Sequence, residues 1–133
     1  MIVIDANILL YSLIEGDYTP QVQQLREKDT DWRTTPLCLH EILNVLATYQ
    51  RRGVLTLTQC RKLLGHAERF IEVAQSEVEM DAALTVAAKY AITGYDAQYV
   101  TLAQSLNVPL ITEDRKLREA VPGIAFSMKE FLA

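Results

Sequence analysis

Two cysteines and two histidines are all the thiol and imidazole ligands in this chain of 133 residues. Cys38 and Cys60 stand at no ligand spacing with His40 and His66, so no zinc site is encoded. Both cysteines are expected to be reduced residues in or near the core of a cytoplasmic protein. A long apolar run is also missing. The one near the N-terminus is too short to cross a bilayer, and Asp5 interrupts it. No basic segment precedes that run, so a secretory signal is not expected. The patterns GxxxxGK[ST] and GxGxxG are both missing, which argues against a nucleotide-cradling loop. No Ser–His or Cys–His pairing for a side-chain nucleophile is legible. Positive charge is not in surplus either. The net charge is −4, which speaks against gripping nucleic acid through overall charge.

What is present is a compact composition, half apolar and only 23% charged. The length suits one domain over residues 1–133 with a real core. No linker, repeat or low-complexity stretch divides it. Met1 to Ile4 reads as a strand buried on both faces, and Asp5 can cap a short helix through about Ile14. Pro20 to Lys28 reads as a helix with proline in its first turn. Trp32 to Thr35 is a weakly signalled strand. Pro36 opens a strong helix to Arg52, ended by Gly53. The next helix is expected to take Thr58 as its N-cap. Glu79 to Ala91 places Met80, Ala83, Leu84, Ala87 and Ala91 at helical spacing. Asp96 to Leu106 follows as a helix behind the Thr93-Gly94 break. Val108 to Thr112 reads as a strand, Asp114 to Ala120 as a short helix, Ile124 to Phe126 as a last strand, and Met128 to Leu132 as a final helical turn. Short strands separated by helices favour an α/β fold, a central parallel sheet with helices on both sides and right-handed crossovers.

Four acids are spread along this pattern: Asp5 in IVIDANILL, Glu41 in LHEIL, Asp96 in GYDAQYV and Asp114 in LITEDRKL. Asp5 and Asp114 follow short apolar β-branched runs, and in open α/β folds ligands bind at the carboxyl ends of parallel strands. Each acid also has a plainer reading. The three aspartates lie at helix beginnings, where capping and the helix dipole favour Asp. Glu41 falls with His40, Asn44, Thr48 and Arg52 on the polar stripe of its helix, near the edge beside Val45. The opposite stripe, Ile42, Leu43, Leu46 and Tyr49, is expected to be buried. Taken alone, Glu41 reads as a solvated face residue. The set says more than its members. Carboxylates gathered at one sheet edge repel one another and lose ionisation. A divalent cation removes that conflict, and Mg²⁺, which prefers oxygen ligands and keeps several waters, suits a partial cage. Such an ion can lower the pKa of a bound water and stabilise charge on a phosphoryl oxygen. The four acids carry −4 themselves, so metallation would cancel the negative charge that opposes RNA.

These segments resemble the PIN domain, and most closely the VapC-like ribonuclease toxins of toxin–antitoxin pairs. The resemblance runs over essentially the whole chain. IVIDANIL looks like the first motif of that family, with Asp5 and Asn7. TTPLCLHEIL looks like the second, with Thr35 where many members have serine and Glu41 as the acid. TGYDAQYVTLA is the most specific and resembles the third, with Asp96. PLITEDRKL resembles the last, with Thr112 two positions before Asp114. Glu113 adds a neighbouring carboxylate. The resemblance implies a three-layer α/β/α sandwich and hydrolysis of an RNA phosphodiester by a water activated on Mg²⁺ or Mn²⁺. It implies Asp5 and Asp96 as principal metal ligands, with Glu41 and Asp114 completing the cage directly or through water. Asn7, Thr35 and Thr112 would orient carboxylates from behind. It further implies a homodimer, no membrane, and a small antitoxin partner covering the acidic groove.

The basic residues cluster. Arg115 and Lys116 follow the fourth acid and could hold phosphates beside the scissile bond, whereas Arg51, Arg52, Arg61, Lys62 and Arg69 could face an antitoxin. Tyr95 could stack on a base, and Tyr99 is expected in the core or at a dimer interface. Two alternatives stand beside the toxin reading: an RNA-processing nuclease of the same fold, and a phosphoacceptor receiver domain. The latter needs an acidic pair after its first strand. Here Ala6 follows Asp5.

Overall fold

The computed structural model describes residues 1–133. Four strands make one sheet, all parallel, in the order β2-β1-β3-β4. These are β1 (Ile2–Ile4), β2 (Trp32–Arg33), β3 (Leu110–Ile111) and β4 (Ala125–Phe126). They are as short as the apolar runs that encode them. Residues beside a buried strand must be apolar on both faces, and Ile2, Val3, Ile4, Leu110 and Ile111 are all fully buried. The chain leaves β1 to one side to build β2, then crosses back over β1 to build β3 and β4. With right-handed crossovers the two directions put helices on opposite faces, which makes the three-layer α/β/α sandwich. The place where the order reverses lies between β1 and β3. Asp5 leaves one of these strands, and Thr112 to Asp114 leave the other.

Eight helices cover the sheet: α1 (Ala6–Leu13), α2 (Thr19–Lys28), α3 (Leu37–Arg51), α4 (Leu57–Ala74), α5 (Met80–Tyr90), α6 (Gly94–Leu106), α7 (Arg115–Ala120) and α8 (Met128–Leu132). One hydrophobic cluster runs from the sheet into α1, α3, α4 and α6. No helix is long and apolar enough to cross a membrane. Both cysteines are free and buried.

Three expectations need correction. The face that α3 buries is set by Cys38, Ile42 and Leu46, spaced one turn apart, while Leu43 is 52% exposed. Tyr49 is only half-buried. On α5 only Ala83 is buried, and Met80 and Leu84 are exposed, so its apolar spacing does not mark a core stripe. The cap of α4 is Thr56 rather than Thr58. Thr56 accepts from the Gln59 backbone at 3.1 Å, and the Gln59 side chain accepts from the Thr56 backbone at 2.8 Å. This reciprocal box satisfies two otherwise orphaned donors, and Thr58, already inside the first turn, can offer no equivalent. Thr56→Ala is therefore expected to cost about 1 kcal/mol and lower the melting temperature by about 2–5 °C. Thr58→Ala should leave it unchanged. Equal effects in a thermal melt would contradict this assignment.

Candidate metal centre

Register brings the first two parts of the site together. Val3 pairs with Leu110 and Ile4 with Ile111. The next residue on each strand is Asp5 and Thr112, and the Thr112 hydroxyl donates to Asp5 Oδ2 at 2.6 Å across 107 residues of sequence. Asp5 Oδ1 accepts from the Ile8 backbone at 3.1 Å and caps α1. Asp5 is thus a cap and a cavity residue at once, with a hydrogen bond on each oxygen. Asp114 repeats the device, with Oδ1 accepting from the Leu117 backbone at 3.1 Å. Its own backbone N–H donates to the Thr112 hydroxyl at 3.1 Å, so Thr112 links the two acids.

Asp96 differs. Helix α6 begins at Gly94, two residues earlier than the sequence suggested, and its cap is Thr93. Thr93 Oγ1 accepts from the Asp96 backbone at 3.0 Å. The capping role belongs to the threonine, so the Asp96 carboxylate is not needed for it. Glu41 is half-buried on α3 rather than solvated, and one of its oxygens accepts from the Tyr99 hydroxyl at 2.5 Å.

Asp5, Glu41, Asp96 and Asp114 line one open cavity of about 540 Å³, together with Asn7. Thr112 lies behind Asp5 and is fully buried. Thr35 is fully buried at the end of β2, and its hydroxyl has no hydrogen-bond partner. Glu113 is not among the cavity's lining residues; Arg118 and the Met128 backbone N–H are its neighbours. Arg115 and Lys116 are exposed, with Arg115 paired to Glu119 at 3.0 Å. The cavity wall also contains His40, Asn44 and Tyr95. The helical wheel had put His40 and Asn44 beside Glu41, and that shared stripe was the signal. Tyr95 is 65% exposed and adjoins Asp96.

Burial first, and then mutual charge, raises the proton affinity of Asp5, Glu41 and Asp96. Burial, and then the charges of Glu41 and Asp96, push Asp5 from 3.8 up to about 6 against the hydrogen bonds from Thr112 and Ile8. Burial also raises Glu41, helped by the charge of Asp96 and opposed by Tyr99. Asp96 is raised by burial and by Asp114. The four acids offer only oxygen donors, which suits a hard divalent cation. No three acidic, histidine or cysteine side chains close into a ready-made cage. A hard ion that keeps several waters needs fewer protein ligands than such a cage.

The model of the PIN domain family matches residues 2–121 of this chain. Ribonuclease VapC3 of Pyrobaculum aerophilum is 28% identical over 127 residues, covering 92% of this chain and 96% of that protein. Among solved structures, FitAcB from Neisseria gonorrhoeae superposes with a TM-score of 0.71 at 14% identity, over 97% of this chain and 99% of that one. A toxin–antitoxin complex from Klebsiella pneumoniae gives 0.69 at 16% identity, over 96% and 98%. At these identities the structural likeness concerns the fold.

Proposed function

Since this chain belongs to the PIN domain family, we propose that it is a metal-dependent endoribonuclease, the toxin of a toxin–antitoxin pair, acting in the cytoplasm as a single domain over residues 1–133. The observation that carries this reading is the convergence of Asp5, Glu41, Asp96 and Asp114, from four separate stretches, on one open cavity. The similarity to a ribonuclease over nearly the full length of both chains supports the choice of RNA. Family membership sets the phosphoacceptor receiver aside. An RNA-processing nuclease of the same fold would use the same chemistry on a different RNA.

In this reading Asp5 and Asp96 hold Mg²⁺ or Mn²⁺, with Glu41 and Asp114 completing its surroundings directly or through water. The bound ion supplies a water of lowered pKa and stabilises charge on the phosphoryl oxygens. Thr112 fixes one oxygen of Asp5 and the backbone ahead of α7 at the same time, which orients two carboxylates with a single hydroxyl. Asn7, exposed at the cavity wall, orients a neighbouring carboxylate or a water. Thr35 is assigned to the same supporting layer beneath α3. Arg115 and Lys116, exposed side chains at the start of α7 beside Asp114, hold phosphates flanking the scissile bond. Tyr95 offers an exposed ring on which a base can stack. A homodimer and an antitoxin segment laid over the acidic groove complete the proposal.

The direct test incubates the purified protein with structured RNAs and Mg²⁺ or Mn²⁺. Cleavage that stops on chelation and returns on adding the ion is expected. Absence of cleavage of any RNA with either ion would end the reading.

A further inference from the structure

Tyr99 belongs to none of the four acidic positions, yet its hydroxyl ends on one of them. It is 2% exposed, inside α6, three residues after Asp96 and therefore on the same side of that helix. Its oxygen donates to Glu41 Oε1 at 2.5 Å, joining residues 58 apart in sequence and two different helices. A tyrosine phenol keeps its proton at neutral pH, so toward a carboxylate it is a donor. The Cys38 thiol lies beside it, pushed up to about 12 by burial and so neutral. The phenol therefore has the Glu41 carboxyl on one side and the buried Cys38 on the other. A hydrogen bond this short to a carboxylate is of the charge-assisted kind. It acts on a long side chain that would otherwise sample many rotamers at the edge of an open cavity.

We propose that Tyr99 is a positioning residue: its hydroxyl pins one oxygen of Glu41 and leaves the other turned to the cavity that Asp5 and Asp96 also line, so that the site is set for a divalent cation before RNA arrives. The inference rests on the metal-dependent reading given above. Helix α6 then fixes two acids, Asp96 by carrying it and Glu41 by hydrogen-bonding to it. A merely structural role, in which Glu41 serves only to satisfy a buried phenol, predicts lost stability without a specific effect on the ion.

The test measures Mn²⁺ affinity of the RNA-free protein by electron paramagnetic resonance, with cleavage rates alongside. Tyr99→Phe is expected to weaken Mn²⁺ binding about ten-fold and slow cleavage at limiting metal by a similar factor, the usual scale for groups that orient a metal ligand. In a Glu41→Ala background the same change should add nothing, because the acceptor it acts through is gone. Unchanged Mn²⁺ affinity in Tyr99→Phe, or an equal further loss in the Glu41→Ala background, overturns the proposal. A second variant does not depend on how Tyr99→Phe folds. Site-specific 3-fluorotyrosine at position 99 keeps the hydroxyl and makes it a stronger donor, so Mn²⁺ affinity should hold or improve, and a clear fall overturns the proposal. Failure of the nuclease reading looks different: the unaltered protein itself would neither bind Mn²⁺ nor cut RNA, and both conclusions would fall together.

Discussion

Asp5→Asn is expected to abolish RNA cleavage and at the same time make the metal-free protein more stable. The amide is nearly isosteric. Its oxygen can still cap α1 through the Ile8 backbone or accept from Thr112, whose bonds to Asp5 are 3.1 Å and 2.6 Å long. What it loses is charge. Removing a group that merely orients a ligand costs about 10–100-fold in metal affinity or activity, so loss of a principal ligand should exceed about a hundred-fold. Asp96→Asn should lose activity to the same degree. The stability change has the opposite sign. The Asp5 carboxyl is raised from 3.8 to about 6, first by burial. Folding therefore favours its protonated form, and the ionised form is a penalty on the folded state. The penalty is absent below about pH 4, grows as pH rises from 4 to 6, and is complete above that. At about 1.36 kcal/mol per pKa unit, relief near pH 7.5 is about 1–3 kcal/mol, or about 3–8 °C in melting temperature. Melting curves of the metal-free proteins at pH 7.5 and pH 4 check this. A variant no more stable than the parent at pH 7.5, or one whose advantage persists undiminished at pH 4, would show that Asp5 is not strained by its surroundings.

Affinity for a divalent cation should fall steeply with acidification. Protons and the ion compete for the same oxygens, and ligands must be deprotonated to bind. With Asp5 at about 6, its ionised fraction drops about ten-fold between pH 7.5 and pH 5, and affinity drops with it. Glu41 and Asp96 are raised in the same direction and add to the loss. Isothermal titration of Mn²⁺ into the protein at the two pH values measures this, and the Asp5→Asn variant should show a weaker dependence. An affinity that stays level from pH 7.5 to pH 5 would mean that ordinary, unperturbed carboxylates bind the ion.

Much of the fold was legible because its signals are local. A strand buried on both faces announces itself as Ile2-Val3-Ile4, and a helix start announces itself as Asp5 or Asp114, whose side chains do cap α1 and α7. The parallel sheet followed from short apolar runs separated by helices. Errors came where two local readings were equally good. Thr56 and Thr58 both precede α4, and only the reciprocal bond with Gln59 favours the first. Leu43 and Cys38 both border the apolar side of α3, and only the packing of α3 on its neighbours buries Cys38 and exposes Leu43. At the site, the carboxylates themselves were nameable from sequence, while their partners were only partly so. Tyr99 was expected in the core or at a dimer interface, and it is buried within the chain, but nothing near it in sequence points to Glu41.

By itself the sequence determined which segments become strands and helices, which acids stand at their ends, and which family the motifs resemble. Each of these depends on residues a few positions apart, whose hydrogen bonds and burial periodicity are short-range. Tertiary structure alone decided that Thr112 reaches Asp5, that Tyr99 reaches Glu41, and that Asp5 carries a proton affinity far from the ordinary one. Those facts depend on strand register and on how α3 and α6 lie against the sheet. Many weak packing terms summed over the whole core set that arrangement, and no local stretch of residues contains the sum.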